Sequence, residues 1–394
     1  MPMKKILVLN GSHSDVPLID AAKRLGFHVT TTGNAPDLVG HRHADDYRPA
    51  DFSDKEAILT LARELRVHAV CSCANDFGAL TAAYVAQSMG LPGHDSYETA
   101  LTLHHKHRFK EFALDHGITT PWAVQYESPD VACRTAETRI YPVMVKPVDL
   151  TGGKGVRKVD SPGQLESAVH DAYSKSRIGR FLVEDWVEGT YHSFSTFLVN
   201  RKVVFGFSDN EYSLNGVFHV STSGGPATGF DSVRDQLVSE AERIARLLGL
   251  SDGVFHMQYI HANGRAWIIE ITRRCSGDLY PYPVSYSCGV DWAEWIVKAE
   301  SGLGCRDFPQ AVQRGVYGRH CVFARHSGTV GDLLIHPELE DNVVEQFRIL
   351  QKGDRIDDRQ PARMAAIVVL KYESAEEMES KSLRMNELVS IEVT

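Results

Sequence analysis

The sequence predicts an α/β protein that opens with a doubly wound parallel sheet and continues into a strand-rich α+β section. Three observations carry this reading. Short apolar runs alternate with helix-length amphipathic segments from Lys4 to Gly90, the pattern of a parallel sheet covered on both faces. From Tyr141 onward the apolar runs lie closer together, and two of them meet at tight-turn dipeptides. No internal repeat or Pro/Ser-rich linker interrupts the chain.

In order, KKILVLN reads as a buried strand, Asp15 to Leu25 as a helix and FHVTTT as a second strand. DKEAILTLARELR is a helix, HAVCSC a third strand, and DFGALTAAYVAQSMG a helix stopped near Gly90. Asp95 and Glu98 look like a capping box opening a short helix. HHKHRFKEFALDHG is the next helix, ended by Gly117 and Pro121. Strands follow at Tyr141, in FLVEDWVEG, in SFSTFLVNRKVVFGF with a turn at Asn200-Arg201, and in FHVST. A long helix, Asp231 to Leu248, precedes GVFHMQYIHA and RAWIIEITRR, joined at Asn263-Gly264. A further helix runs from Asp291 to about Ser301, and the tail from Gly315 alternates strands with one helix, Ser374 to Asn386. The tail shows no site chemistry by sequence.

The composition is that of a globular protein with ample core: 394 residues, 43% hydrophobic and 24% charged. A net charge of −9 argues against a general nucleic-acid or membrane-surface binder. The run ILVL after Lys4 and Lys5 is too short for a signal peptide or membrane span. Seven scattered cysteines, with C-x-C at Cys71 and Cys73, suggest reduced thiols and a cytoplasmic protein. Gly11 stands alone where a dinucleotide fold would carry G-x-G-x-x-G, and no acid closes the second strand, so NAD binding is not expected. His104, His105 and His107 lack matching ligands elsewhere and read as solvated residues rather than a zinc site.

The stretch YPVMVKPVDLTGGKGVRKV carries the chemistry. Lys146 ends an apolar run and precedes Gly152, Gly153 and Gly155. The glycines permit positive φ and close approach of the backbone to an anion, and they allow a mobile lid. An ordinary hairpin with a snorkelling lysine reads equally well from this stretch alone. Further along, Gln258 and Glu270 lie on paired strands, and Glu270 and Thr272 share a face with Arg274 beyond them. Oxygen ligands next to a cationic residue suit a hard cation bridging phosphates.

The segments GLPGHDSYETALTLHHKHRFKEFALDHGITTP, YPVMVKPVDLTGGKGV, FLVEDWVEG and GVFHMQYIHANGRAWIIEITRRCSGD, in this order, resemble the ATP-grasp superfamily over nearly the whole chain. The carbamoyl-phosphate-synthetase-like and carboxylate–amine ligase branches are most similar. The resemblance implies an ATP-grasp fold with an N-terminal domain over 1–104, an ATP-binding domain over 105–310 with a lid at roughly 120–188, and an α+β subdomain over 311–394.

It implies Lys106 and Lys146 as nucleotide-contacting lysines, and Gly152, Gly153 and Gly155 as the loop over the triphosphate. Glu184 and the Val187 backbone would form the adenine hinge. Gln258, Glu270 and Thr272 would be magnesium ligands, with manganese as an alternative, and Arg274 would act with Lys146 in catalysis. Tyr191 stands where a ribose-binding acid is usual, with Glu188 as its substitute. Gln258 and Thr272 replace more common acidic and amide ligands, with Asp278 in reserve. The implied reaction joins a small-molecule carboxylate to an amine through an acyl phosphate, consuming ATP, and the resemblance allows a homodimer. A phosphoryl-transfer enzyme of the same fold and a nucleotide-binding regulatory protein are the alternatives.

Overall fold

The computed structural model describes residues 3–136, 139–150, 153–213, 218–357 and 363–394. Four strands form the first sheet: β1 (Lys5–Leu9), β2 (His28–Gly33), β3 (Asp46–Pro49) and β4 (Ala69–Cys71), in the order β3-β2-β1-β4. All its pairings are parallel. Leu7 and Leu9 pack on one face and Ile6 and Val8 on the other, each fully buried. That two-sided burial is why β1 reads as a continuous apolar run. The sequence missed β3, a short and mostly exposed edge strand.

The expected capping box shifts by one residue. Ser96 caps the helix Tyr97–His104 by accepting from Thr99 N, while Asp95 pairs with Arg273 at 2.9 Å. The next expected helix is cut at His105, so Lys106 begins a separate helix, Lys106–Asp115.

A second sheet, antiparallel, contains β5 (Ala123–Tyr126), β6 (Val143–Pro147), β7 (Arg157–Val159) and β8 (Phe181–Asp185), in the order β5-β8-β6-β7. The helices Pro129–Ala136 and Pro162–Lys175, unassigned by sequence, cover one face; Val143, Val145 and Val183 pack there with Leu165 and Val169. The alternate residues Met144, Lys146 and Glu184 therefore point from the opposite face.

The central sheet has eight strands. Its first five are β9 (Thr190–Val199), β10 (Lys202–Ser213), β11 (Val220–Gly225), β12 (Gly253–Ala262) and β13 (Arg265–Thr272). Both expected turns form, with φ of 51° and 61° at Asn200 and Arg201 and of 52° and 70° at Asn263 and Gly264. The tail supplies β14 (Val316–Ala324), β15 (Gly328–Ile335), β16 (Val343–Arg348), β17 (Arg355–Ile356), β18 (Arg363–Tyr372) and β19 (Val389–Val393). Of these, β14, β18 and β16 extend the central sheet in the order β13-β12-β9-β10-β11-β14-β18-β16. The single tail helix expected from Ser374 is two, Ala375–Ser382 and Met385–Leu388. The aromatic stretch Tyr280 to Tyr286 lies largely in another unassigned helix, Pro281–Cys288.

Among the described residues no disulfide forms, and six of the seven cysteines are buried. Among the described residues no helix is long and apolar enough to cross a membrane.

Candidate functional site

A cavity of about 390 Å³ lies between the second sheet, the central sheet and the first residues of the helix Asp76–Met89. It brings together Lys106, Lys146, Gly153, Glu184, Val187 and Tyr191 with Gln258, Glu270, Thr272 and Arg274. These residues come from positions far apart in the chain, so only the fold assembles them.

Lys146 projects from β6 beside Glu184 of β8. Its Nζ is 2.5 Å from Glu184 Oε1, and Lys110 Nζ is 2.9 Å from the other carboxylate oxygen. Lys110 also donates to Thr120 Oγ1 at 2.5 Å, and Thr120 donates to the Ile268 carbonyl at 2.8 Å. The cluster thereby ties the second sheet to β13. Burial works to raise the Glu184 carboxyl, but the ammonium groups of Lys110 and Lys146 hold it below its ordinary value. Burial also drives Lys110 down to about 8, against the opposing pull of Glu184. The Glu184 side chain is thus engaged in holding two lysines rather than free to meet an adenine. Sequence reading missed Lys110, although it sits one helical turn after Lys106 and so shares its face.

Lys106 donates to the Leu150 carbonyl at 2.7 Å and lies 3.7 Å from Glu270 Oε2. It connects the start of the glycine loop to the candidate metal strand. Gly153 has φ of 71°, and a Cβ there would overlap the Phe218 carbonyl. Gly155 has φ of 72° and packs on Pro147 outside the cavity. Gly152 lies outside the described residues. Glu188 is exposed and does not line the cavity; its carboxylate accepts from Trp186 Nε1 at 2.6 Å. Tyr191 does line it, its hydroxyl pushed up to about 12 by burial and by Glu184.

Gln258 and Glu270 stand directly opposite each other on β12 and β13. A bulge follows Gln258, so Ile269 also lines the cavity rather than facing away from it with Ile271. Gln258 Nε2 donates to both oxygens of Glu211, at 3.0 and 2.8 Å. Burial, reinforced by Asp209, pushes the Glu211 carboxyl up to about 8. The Thr272 hydroxyl is buried with no hydrogen-bond partner among the described residues. Among the described residues no group of three His, Cys, Asp or Glu side chains is disposed to hold a metal alone. One half-exposed carboxylate, an orphaned hydroxyl and an amide instead fit a cation that takes its remaining ligands from phosphate and water.

Arg274 forms a two-point pair with Asp76, at 2.9 and 3.1 Å, and donates to the Cys275 carbonyl at 2.9 Å. Asp76 also lies 3.0 Å from Nδ1 of His104, whose ring is 1% exposed. His104 is therefore a buried positioning residue and not the solvated one expected. Burial would raise the Asp76 carboxyl, but Arg274 and His104 hold it far below the carboxylate range. Asp278 lines the same wall, with Arg319 Nη1 3.7 Å from its Oδ2. Arg319 belongs to β14, in the tail that seemed devoid of site chemistry. Nothing in its local sequence, VYGRHCV, marks it.

Residues 139–281 match the family profile described as the ATP-grasp domain. The arginine-specific carbamoyl phosphate synthase large chain of Bacillus subtilis is 24% identical over 81% of this chain, which spans only 31% of that protein. The formate-dependent phosphoribosylglycinamide formyltransferase of Rhodococcus jostii is 25% identical, covering 68% of each protein. The L-amino acid ligase of Bacillus licheniformis superposes with a TM-score of 0.82 at 19% identity, over 99% of both chains. Phosphoribosylglycinamide synthetase from Anaerococcus prevotii gives 0.77 at 18% identity, covering 99% of this chain and 100% of that one.

Proposed function

Because this chain carries the ATP-grasp domain and fold, we propose that it is an ATP-dependent carbon–nitrogen ligase. The carrying observation is that one cavity joins Lys106, Lys146, Gly153, Val187 and Tyr191 to Gln258, Glu270, Thr272 and Arg274. The domain limits inferred from sequence, 1–104, 105–310 and 311–394, belong to this proposal, as does a cytoplasmic location.

In the proposed reaction a carboxylate oxygen attacks the γ-phosphorus of ATP. The bond to the β-γ bridging oxygen breaks, giving an acyl phosphate and ADP. An amine then adds to the acyl carbon, the carbon–oxygen bond to phosphate breaks, and the nitrogen gives up a proton as the amide forms. Catalysis is mostly positioning and charge stabilisation, since phosphoryl transfer asks little covalent chemistry of the protein. Lys146, fixed by Glu184, and Lys106, fixed by the Leu150 carbonyl, present cations to the phosphates. Gly153 permits the loop to lie against Phe218 and shield the acyl phosphate from water. Glu270, Thr272 and Gln258 would hold magnesium, which when bound supplies charge neutralisation at the β- and γ-phosphates. Arg274, held by Asp76, retains N–H groups for the transferring oxygens.

The test is ADP release against a matrix of carboxylates and amines. A ligase releases ADP and phosphate only when both partners are present, with one amide formed per ADP. ADP release with carboxylate alone, leaving a stable phosphorylated product, overturns the reading in favour of simple phosphoryl transfer.

A further inference from the structure

Arg319 is 6% exposed yet lines the cavity, and its Nε is buried with no hydrogen-bond partner among the described residues. Among the described residues its Nη1 meets the Cys321 thiol at 3.1 Å and, more distantly, Asp278. A thiol is a weak acceptor, so this guanidinium edge retains donor capacity toward the cavity. A carboxylate is the planar anion that matches such an edge.

The carboxylates near it are also incompletely used. Among the described residues Glu211 accepts from Gln258, which fixes its plane; it is buried with no cation in contact, and an approaching ammonium group would restore the charge that burial suppresses. Asp278 is anchored by its own backbone, which donates to Ser14 Oγ at 2.9 Å. Both line the cavity, and both act electrostatically on Arg319. One guanidinium with spare donors therefore stands among carboxylates with spare acceptors. The ligand that satisfies both is a zwitterion, with its ammonium on the acids and its carboxylate on the arginine.

The neighbouring loop speaks against a phosphorylated substrate. In a parallel sheet the turn after the first strand is the natural place for free N–H groups to cradle phosphate. Here the Asp15 carboxylate, fully buried, takes the Ser12 N–H and hydroxyl, each at 2.7 Å, and the Ala74 N–H at 2.8 Å. A phosphate ester would find these donors already spent on a carboxyl group.

We propose that the carboxylate substrate is a free, unphosphorylated amino acid, bound through Arg319 at its carboxylate and through Glu211 and Asp278 at its ammonium group. The proposal rests on the ligase reading and names the substrate class of the same site.

Calorimetric titration, with the cavity loaded with magnesium and a non-hydrolysable ATP analogue, tests binding apart from turnover. The probes are the proteinogenic amino acids, the N-acetyl derivative of each one that binds, and O-phosphoserine with ribose 5-phosphate as phosphorylated competitors. At least one free amino acid should bind, and its N-acetyl form should bind about tenfold to a hundredfold more weakly, the loss of a charge-assisted contact. Glu211→Gln should weaken the free amino acid by a similar factor and leave the N-acetyl form unchanged. Equal binding of free and acetylated forms, tighter binding of the phosphorylated probes, or no amino-acid binding overturns the proposal. Should Glu211→Gln fail to fold by circular dichroism, the wild-type comparison decides alone. Amino-acid binding without ADP release in the presence of any amine would sink the ligase reading while leaving the binding assignment standing.

Discussion

Glu184 holds Lys146 and Lys110 with one oxygen each, at 2.5 and 2.9 Å, inside a site where all three side chains are buried. The arrangement explains how a lysine can end an apolar strand. Its charge is neutralised before any ligand arrives, and its position is fixed toward the cavity. Two cations around one carboxylate leave a net positive charge, which favours the approach of phosphate.

Lys146→Ala should weaken ATP binding by about 1.5–3 kcal/mol, the worth of a charge-assisted hydrogen bond. The fold should survive, because Glu184 keeps Lys110 as a partner. Calorimetric titration of the folded variant checks this. Unchanged ATP affinity would remove Lys146 from the nucleotide site.

Lys110 gives a pH signature. Its folded value, about 8, lies below the ordinary 10.5, so between these values the unfolded chain binds the extra proton. Unfolding free energy therefore gains a positive slope with pH in that window and is unaffected by this group below it. Urea titrations of wild type and Lys110→Met should show the wild-type minus variant difference rising from about pH 8 to pH 10.5. A flat or falling difference across that range contradicts the assignment.

The layers of the fold were legible because apolar periodicity and turn residues report local structure directly. KKILVLN and the turns at Asn200-Arg201 and Asn263-Gly264 all stand where periodicity and turn chemistry put them. β3 was not legible: DYRP is a short, polar edge strand with no apolar period. The lining of the candidate site was legible where a motif carried it, as at Lys146 and Glu270, which the fold brings to one cavity. It was hidden where tertiary pairing alone does the work. Arg319 reaches the cavity only because β14 pairs with β11, a neighbour remote in sequence. Glu184 was noticed, but its role depends on Lys110, which looks like any lysine on an amphipathic helix.

Gly153→Ala should slow turnover well beyond its effect on adenosine binding. The substituted Cβ would overlap the Phe218 carbonyl, and alanine is strained at a φ of 71°. The loop would have to retreat from the central sheet, and closure rather than base recognition would suffer. Steady-state kinetics beside adenosine titration separates the two effects. Normal turnover in the variant would show that the contact with Phe218 has no part in catalysis.

Glu270→Gln addresses the metal site. Of the three candidate ligands, Glu270 alone is charged, and the Thr272 hydroxyl beside it is buried without a hydrogen-bond partner among the described residues. Removing that charge should abolish turnover at ordinary magnesium concentrations, a fall in activity of about a hundredfold or more, because phosphoryl charge is no longer neutralised. Adenosine should still bind, since Val187, in the connection between β8 and β9, and Tyr191, on β9, are untouched. Lys106, 3.7 Å from Glu270, loses that partner but keeps the Leu150 carbonyl, so the fold should hold. Manganese titration adds an independent readout: paramagnetic broadening of bound nucleotide should require far higher metal in the variant than in wild type. Identical metal dependence in the two proteins would move the cation away from β13, with Glu211 and Asp278 among the other cavity carboxylates to examine.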